Sequence, residues 1–319
     1  MKKINLKNTD LSVSNIVMGT DSLGSIVDEK LSYELLDFYT EAGGNILDTA
    51  ECYAHWAENG VHASEKLIGK WMKERKCRNN TVISTKGGFY IFNTPHRLSQ
   101  KDIFEDLDGS LRRLNTDYID IYWLHRDAEE VSVEEIMDIL TKAINQGKVR
   151  YIGVSNWTYE RIDAANRYAE KAGCPKLFAS QIQYSVAKPN VEKNEPDLVL
   201  MNDNEYEYFK NHDMTVFAFA AQAKGFFQKY HNGGEDALSV KARDRYLNNE
   251  TLKRYDNLVE ISKEHNCTIG NAVIAALTNN YDFATLPIIG SKNIPHLKEA
   301  LGGSDIMLTK EEVDYVFNR

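Results

Sequence analysis

The sequence predicts a closed parallel barrel of eight β/α units, the (β/α)8 TIM architecture, with a short N-terminal hairpin and an extra C-terminal helix. Three observations carry this. Short apolar runs recur about every 30 to 40 residues along the 319-residue chain, and there are eight of them. Their continuous rather than alternating apolar content suits strands buried on both faces. An amphipathic stretch of helical period follows each run, and repeated strand–helix units close into a right-handed barrel. No linker or low-complexity segment interrupts the pattern, so residues 1–319 read as one domain.

The elements follow in order. Residues 2–13 read as a hairpin closing the barrel bottom. Strands are expected at Ile16–Gly19, Asn45–Asp48, Val82–Lys86, Ile119–His125, Arg150–Val154, Phe178–Tyr184, Thr215–Phe219 and Thr285–Ile289. Helices are expected over about 30–42, 62–75, 100–114, 158–172, 202–211, 268–279 and 294–301. Another starts at the capping box Ser132-Val-Glu-Glu135, continues through Ile136, Ile139, Leu140 and Ala143 on one face, and stops at Gly147. Residues 237–265 are an extra charged segment between the seventh strand and its helix. Thr309, with Glu312 three residues on, starts the added helix of 309–318.

Composition excludes several classes. Lys and Arg number 38 against 47 Asp and Glu, a net charge of −9, which repels a phosphate backbone and argues against nucleic acid as partner. No run of 18 apolar residues is present, so no membrane span is expected. The opening MKKINLKNTDLSV lacks the apolar core of a secretion signal. Cys52, Cys77, Cys174 and Cys267 stand far apart without a CxxC pair, which fits reduced thiols and a cytoplasmic setting. No metal site is expected.

Chemistry in such a barrel belongs at the C-terminal ends of the strands. Polar residues collect there. Asp48 ends the second strand, Lys86 the third and His125 the fourth; Ser155 and Asn156 follow the fifth, Gln181 lies in the sixth, and Ser291 and Lys292 follow the eighth. Neighbouring strands bring Asp48, Lys86 and His125 to one rim, and Tyr53 lies in the loop above it. A tyrosine hydroxyl titrates near 10, too high for a good acid at neutral pH, and a nearby ammonium lowers it. Lys86 suits that task, Asp48 suits aiming Lys86, and His125 suits a hydrogen bond to a carbonyl oxygen. The set fits protonation of an oxygen while a hydride reaches its carbon.

Longer segments carry a resemblance. They are Gly44-Asn-Ile-Leu-Asp48-Thr-Ala-Glu-Cys-Tyr53, Ser64-Glu-Lys-Leu-Ile-Gly69, Ser84-Thr-Lys86-Gly-Gly, Asp117-Tyr-Ile-Asp-Ile-Tyr-Trp-Leu-His125, Gly147-Lys-Val-Arg-Tyr-Ile-Gly-Val-Ser155-Asn156, Gln181-Ile-Gln-Tyr184 and Pro287-Ile-Ile-Gly290-Ser291-Lys292. In order and spacing, from about residue 2 to 302, the chain resembles the aldo-keto reductase superfamily. The resemblance implies a barrel that binds NADP(H) and interconverts a carbonyl compound (aldehyde, ketone or sugar) and an alcohol. It agrees with the absence of GxGxxG and Walker motifs. It implies Tyr53 as general acid/base, Lys86 and Asp48 as its tuners, and His125 as the carbonyl-orienting group. It further implies Ser155, Asn156 and Gln181 at the nicotinamide carboxamide, Phe219 stacked on the ring, and Gly19, Thr20 and Asp48 close by. Ser291, Lys292 and His296 fall where the adenosine 2′-phosphate is held, and Glu299 where an acid meets the adenine.

Two departures stand out. The family's Tyr-Ser-Pro-Leu after the seventh strand is here Phe219-Ala-Ala-Gln222, which removes a hydroxyl from the pyrophosphate contacts. His296 replaces a common arginine, and a neutral imidazole grips phosphate less well than a guanidinium fork, so the preference for NADP(H) rests mainly on Lys292 and use of NAD(H) as well stays open. Trp56, Phe89 and Trp157 lie in rim loops and are candidate substrate walls; Trp123 shares parity with His125 and is expected in the core. Cys52, beside Tyr53, is a candidate for oxidation. Arg126 is expected to pair with a carboxylate. The segment 228–248 follows the seventh strand and reads as a cover for the cofactor or a solvated loop. The alternative function is a cofactor-binding regulatory or sensing module with little turnover.

Overall fold

In the computed structural model, which describes residues 1–90 and 97–319, eight parallel strands close on themselves. A hairpin, β1 (Lys3–Asn5) and β2 (Ser12–Ser14), precedes them. The barrel is β3 (Val17–Gly19), β4 (Ile46–Asp48), β5 (Val82–Gly87), β6 (Ile119–Leu124), β7 (Val149–Ser155), β8 (Ala179–Gln183), β9 (Thr215–Phe219) and β10 (Thr285–Ile289). Each strand pairs with the next, and β10 pairs with both β9 and β3 to close the ring.

Around the barrel run α1 (Glu29–Glu41), α2 (Ala63–Arg75), α3 (Gln100–Leu114), α4 (Val133–Asn145), α5 (Tyr159–Ala172) and α6 (Asp203–His212). Then come α7 (Phe226–Gly233), α8 (Val240–Tyr246), α9 (Asn249–Glu264), α10 (Ile269–Thr278), α11 (Ile294–Gly302) and α12 (Lys310–Phe317). The charged 237–265 segment is therefore helical. Lys253, Asp256, Glu260 and Lys263 of α9 face water while Leu258 and Ile261 are buried, and Arg245 and Arg254 are half-buried. Ser132 starts α4 by accepting the Glu135 amide at 3.2 Å. Among the described residues the reciprocal capping box forms at Thr309 and Glu312 of α12. Gly147 follows α4 in the left-handed region (φ 72°), as a chain reversal there requires.

The barrel interior is what positions the site. Alternate residues of a strand face the same way. Ile46 and Asp48 share a face of β4, as do Val82, Ser84 and Lys86 of β5, and Ile121 and Trp123 of β6. Interior residues thus run from apolar at the bottom to polar at the rim. The bottom layer holds Val17, Ile46, Val82, Ile121, Phe217 and Leu286, and the hairpin plugs it with Leu6, Leu11 and Val13. Trp123 fills the middle because Gly153 opposite has no side chain; a Cβ there would lie 2.3 Å from the indole. Among the described residues, no helix is long and apolar enough to cross a membrane.

Candidate active site

Register brings the rim residues together. Asp48 sits opposite Ser84, Lys86 opposite Trp123, and Ser155 opposite Gln181. Lys86 Nζ has three protons and three acceptors: Asp48 Oδ2 at 2.6 Å, the Thr49 carbonyl at 2.8 Å and Tyr53 Oη at 2.8 Å. Tyr53 Oη in turn donates to Asp48 Oδ2 at 3.2 Å. The other Asp48 oxygen accepts from Ser84 Oγ at 3.0 Å and Gln181 Nε2 at 2.9 Å. Trp123 Nε1 donates to Ser84 Oγ at 2.7 Å, so the core tryptophan anchors the chain of donors that aims Asp48. A carboxylate with four donors and a buried ammonium with three acceptors meet the condition for burying charge.

The electrostatics correct one expectation. Burial, and then the Asp48 carboxylate, raise the Tyr53 hydroxyl well above the ordinary tyrosine value, the opposite of the net lowering expected from Lys86. Burial also lowers Lys86, against the opposing pull of Asp48. Tyr53 is thus a proton holder, and Lys86 is ready to receive the charge once that proton moves. His125 is pushed well below the usual histidine range by burial, then by Lys86 and Arg126, so its ring is neutral. Its Nδ1 lies 3.4 Å from Cys52 Sγ. Burial pushes the Cys52 thiol up to about 12, so it stays an S–H and is a poor target for oxidation. An S–H donated to Nδ1 leaves the imidazole proton on Nε2. The Tyr53 and His125 rings meet edge-on with centroids 6.0 Å apart.

These groups open into a cavity of about 580 Å³. Gly19, Thr20, Ser155, Asn156, Gln181 and Phe219 line it with Tyr53 and His125. At Gly19 a Cβ would lie 2.9 Å from Ile288, so this wall is backbone. Asn156 is left-handed (φ 58°), and its side chain is held by bonds to Ser155 Oγ and the His125 carbonyl and from the Val199 amide. Gln181 Nε2 points at Asp48 rather than into open space. The turn after β9 is strained: Ala220, Ala223 and Lys224 all have φ near 50°, as do few non-glycine residues.

Other residues fall beyond the cavity. Ser291 is buried with its hydroxyl on the Asn293 carbonyl, while Lys292 and His296 are exposed at the start of α11. Glu299, farther along α11, accepts from Thr268 at 3.2 Å. Lys292 still acts on the rim, since its charge opposes the desolvation that raises the Asp21 carboxyl. Of the proposed substrate walls, Trp56 lines the cavity. Phe89 packs on His125 at 4.8 Å, and Arg126 stacks on Phe89 and bonds Asp197 at 2.7 Å. Trp157 does not reach the cavity: it is fully buried, donates to the Arg126 carbonyl and is covered by Arg161.

Sequence reading missed Asp21, Gln183, Glu195, Lys224 and Arg245, which also line the cavity. Asp21 and Lys224 carried the available signal, as polar residues just past strands. Glu195 and Arg245 did not, because their pairing across the rim joins a long loop to α8. The 228–248 segment thus contributes Arg245 to the cavity wall.

A family model, that of the aldo/keto reductase family, matches residues 15–317. The chain belongs to the aldo/keto reductase family. A protein of Saccharomyces cerevisiae named Probable aryl-alcohol dehydrogenase AAD4 is 31% identical, over 92% of this chain and 88% of that one. The aryl-alcohol dehydrogenase (NADP+) of Phanerodontia chrysosporium is 28% identical, over 96% and 82%. Among solved structures, the thermostable aldo-keto reductase Tm1743 in complex with epalrestat superposes with a TM-score of 0.73 at 25% identity, covering 100% of this chain and 99% of that one. As an aldo/keto reductase the chain is an oxidoreductase of small carbonyl compounds and alcohols, built on a (β/α)8 barrel.

Proposed function

We propose that the protein reduces an aldehyde or ketone to an alcohol, or runs the reverse reaction, with NADP(H) and with Tyr53 as general acid/base. The observation that carries this is Lys86 Nζ at 2.8 Å from Tyr53 Oη, both fixed by Asp48, at the floor of a cavity reached by His125. The donor set fits a nicotinamide dinucleotide: Phe219 offers a ring face, Asn156 and Gln181 offer amides, and Lys224, Arg245 and Lys292 offer cations for phosphates. Such a cofactor, when bound, supplies or accepts the hydride. Tyr53 Oη gives its proton to the carbonyl oxygen, and Lys86 stabilises the phenolate that remains. His125 Nε2–H holds the same oxygen in place. In the reverse direction the phenolate takes the proton of the alcohol.

The names of the two fungal relatives favour aryl aldehydes and alcohols as the first substrates to try, and Trp56 and Phe89 supply flat apolar surface for them. Scattered free cysteines fit a reducing cytoplasm. Tyr53→Phe is expected to bind NADPH within about threefold of the parent by tryptophan fluorescence, while kcat for an aryl aldehyde falls by at least about 10³-fold, the scale of a lost proton donor. Full turnover in that variant would overturn the mechanism. Lys292→Met is expected to cut the ratio of NADPH to NADH affinity at least about tenfold, as loss of one phosphate cation should. An unchanged ratio would remove Lys292 from the cofactor site.

A further inference from the structure

Behind the loop that carries Tyr53, three side chains converge that have no part in the chemistry above. Glu51 Oε1 lies 3.2 Å from His62 Nδ1 and 3.8 Å from His55 Nε2, and the two histidine nitrogens are 3.2 Å apart. Ligands placed tetrahedrally about 2.0–2.1 Å from a zinc ion stand about 3.3–3.4 Å from one another. Two of the three distances are close to edges of such a tetrahedron, and the third, Glu51 to His55 at 3.8 Å, needs a closing movement of about 0.4 Å. Two imidazoles and a carboxylate suit zinc and its neighbours among divalent transition ions; calcium and magnesium prefer all-oxygen shells.

The backbone holds this convergence in place. The Glu51 amide donates to the Lys86 carbonyl at 2.9 Å, fixing residue 51 to the barrel. From there the chain winds through short turns, with His55 N on Cys52 O, Ala57 N on Ala54 O and Gly60 N on Ala57 O. Ala54, Asn59 and His62 are all left-handed, with φ of 70°, 56° and 57°. A Cβ at Gly60 would lie 1.9 Å from the Ala54 carbonyl, so only glycine allows the loop to fold back. Strain of this kind persists where the surroundings over-determine it. Its result is to return His62 to Glu51, across eleven residues.

The surroundings permit a cation. Glu65 and Asp106 face the triad with Arg97 and Arg113, and these are already paired: Arg113 with Glu65 at 2.6 Å and Arg97 with Asp106 at 2.8 Å. Among the described residues Glu51 makes no ion pair with a lysine or arginine; its charged-group contacts are His55 and His62. The three donors border a cavity of about 480 Å³, lined also by Val61, Glu105 and Arg112, which leaves room for a water at a fourth position.

We propose that Glu51, His55 and His62 bind one divalent transition-metal ion of the zinc class, with water completing a four-coordinate shell. Occupancy ties residues 51, 55 and 62 together and stiffens the loop between them, whatever Tyr53 does chemically. The test uses the full chain, stripped with a chelator and dialysed. Zinc chloride is titrated by calorimetry and cobalt(II) chloride by visible absorption. One equivalent is expected, with Kd of about 1 µM or tighter, the intense d–d bands of four-coordinate cobalt, and a Tm raised by zinc.

His55→Gln and His62→Asn should each weaken binding at least about tenfold; asparagine tolerates the left-handed backbone at 62. His265→Gln, a histidine paired with Glu312 at 2.7 Å elsewhere, should bind as the parent does. Circular dichroism checks the fold of each variant. If either histidine variant unfolds, the cobalt spectrum of the parent decides, and a six-coordinate spectrum overturns the site. Absence of saturable zinc binding below about 100 µM, or binding that survives both substitutions, overturns it as well.

Discussion

At the scale of single residues, the site is a set of protons with assigned places. Lys86 spends all three of its protons on Asp48, Thr49 and Tyr53, which leaves its nitrogen without a free lone pair for attack on a carbonyl. The neutral His125 ring has one proton, and an S–H donated by Cys52 to Nδ1 would place it on Nε2. Removing that thiol lets the imidazole adopt either tautomer and turn its lone pair toward the substrate oxygen. Cys52→Val, close in shape but without a donor, is expected to lower kcat about 5- to 50-fold with KM little changed. Cys52→Ser, which keeps a donor, should retain most of the activity. Steady-state kinetics with an aryl aldehyde check this, and equal effects of the two substitutions would show that the thiol only fills space. The convergence of Asp48, Lys86 and His125 with Tyr53 was legible because such residue types are costly to bury, so their presence at strand ends and in the loop above asked for a reason. The direction of the Tyr53 shift was not legible. Desolvation depends on what closes over a side chain, and that is a property of packing.

At the scale of elements, the barrel strands and the helices expected between them were readable to within one or two residues, because the strands are largely apolar and most of those helices start at a capping residue, whereas α7, α8 and α9 were read only as a charged segment and a loop. Thr309 and Glu312 announce α12, and Thr215–Phe219 and Thr285–Ile289 are found at their expected bounds. A contact between helices is harder to read. Thr158 precedes α5 but makes no side-chain cap bond; Glu205 of α6 instead accepts the Tyr159 amide at 3.1 Å. The other Glu205 oxygen is buried without a partner. Burial pushes this carboxyl up to about 7 from an ordinary 4.5. The folded state therefore holds the proton more tightly than the unfolded chain, and stability declines as pH rises from about 4.5 through 7. Glu205→Gln keeps the acceptor for Tyr159 and removes the charge. At pH 8.5 it is expected to be more stable than the parent by about 1–3 kcal/mol, with the gain vanishing near pH 5. Urea melts at the two pH values give the difference directly, and a gain independent of pH would exclude ionisation as its source.

At the scale of the whole molecule, the barrel separates a catalytic rim from a structural floor. What sequence reading lost lies at the rim, where loops meet. Trp157 was expected in the substrate wall, but Arg126 and Arg161 fold over it. Arg245 and Glu195 pair across a gap of fifty residues that no local pattern records. The floor was legible from the first residues, because Leu6, Leu11 and Val13 make an apolar hairpin that needs a partner, and the open end of an eight-stranded barrel supplies one. Those three side chains are at most 4% exposed and pack under Val17, Ile46, Val82 and Ile121. Truncating both leucines leaves the rim untouched and empties part of the plug. Each buried Leu→Ala costs about 2–5 kcal/mol, less where neighbours collapse into the gap. Leu6→Ala with Leu11→Ala should therefore lower stability by about 4–8 kcal/mol in a urea melt, near the whole margin of a typical domain. KM and kcat at a temperature where the variant remains folded should stay within about twofold of the parent. A large change in KM without loss of stability would mean that the floor and the rim are coupled, for which the Trp123–Ser84–Asp48 chain of donors is a continuous path of hydrogen bonds.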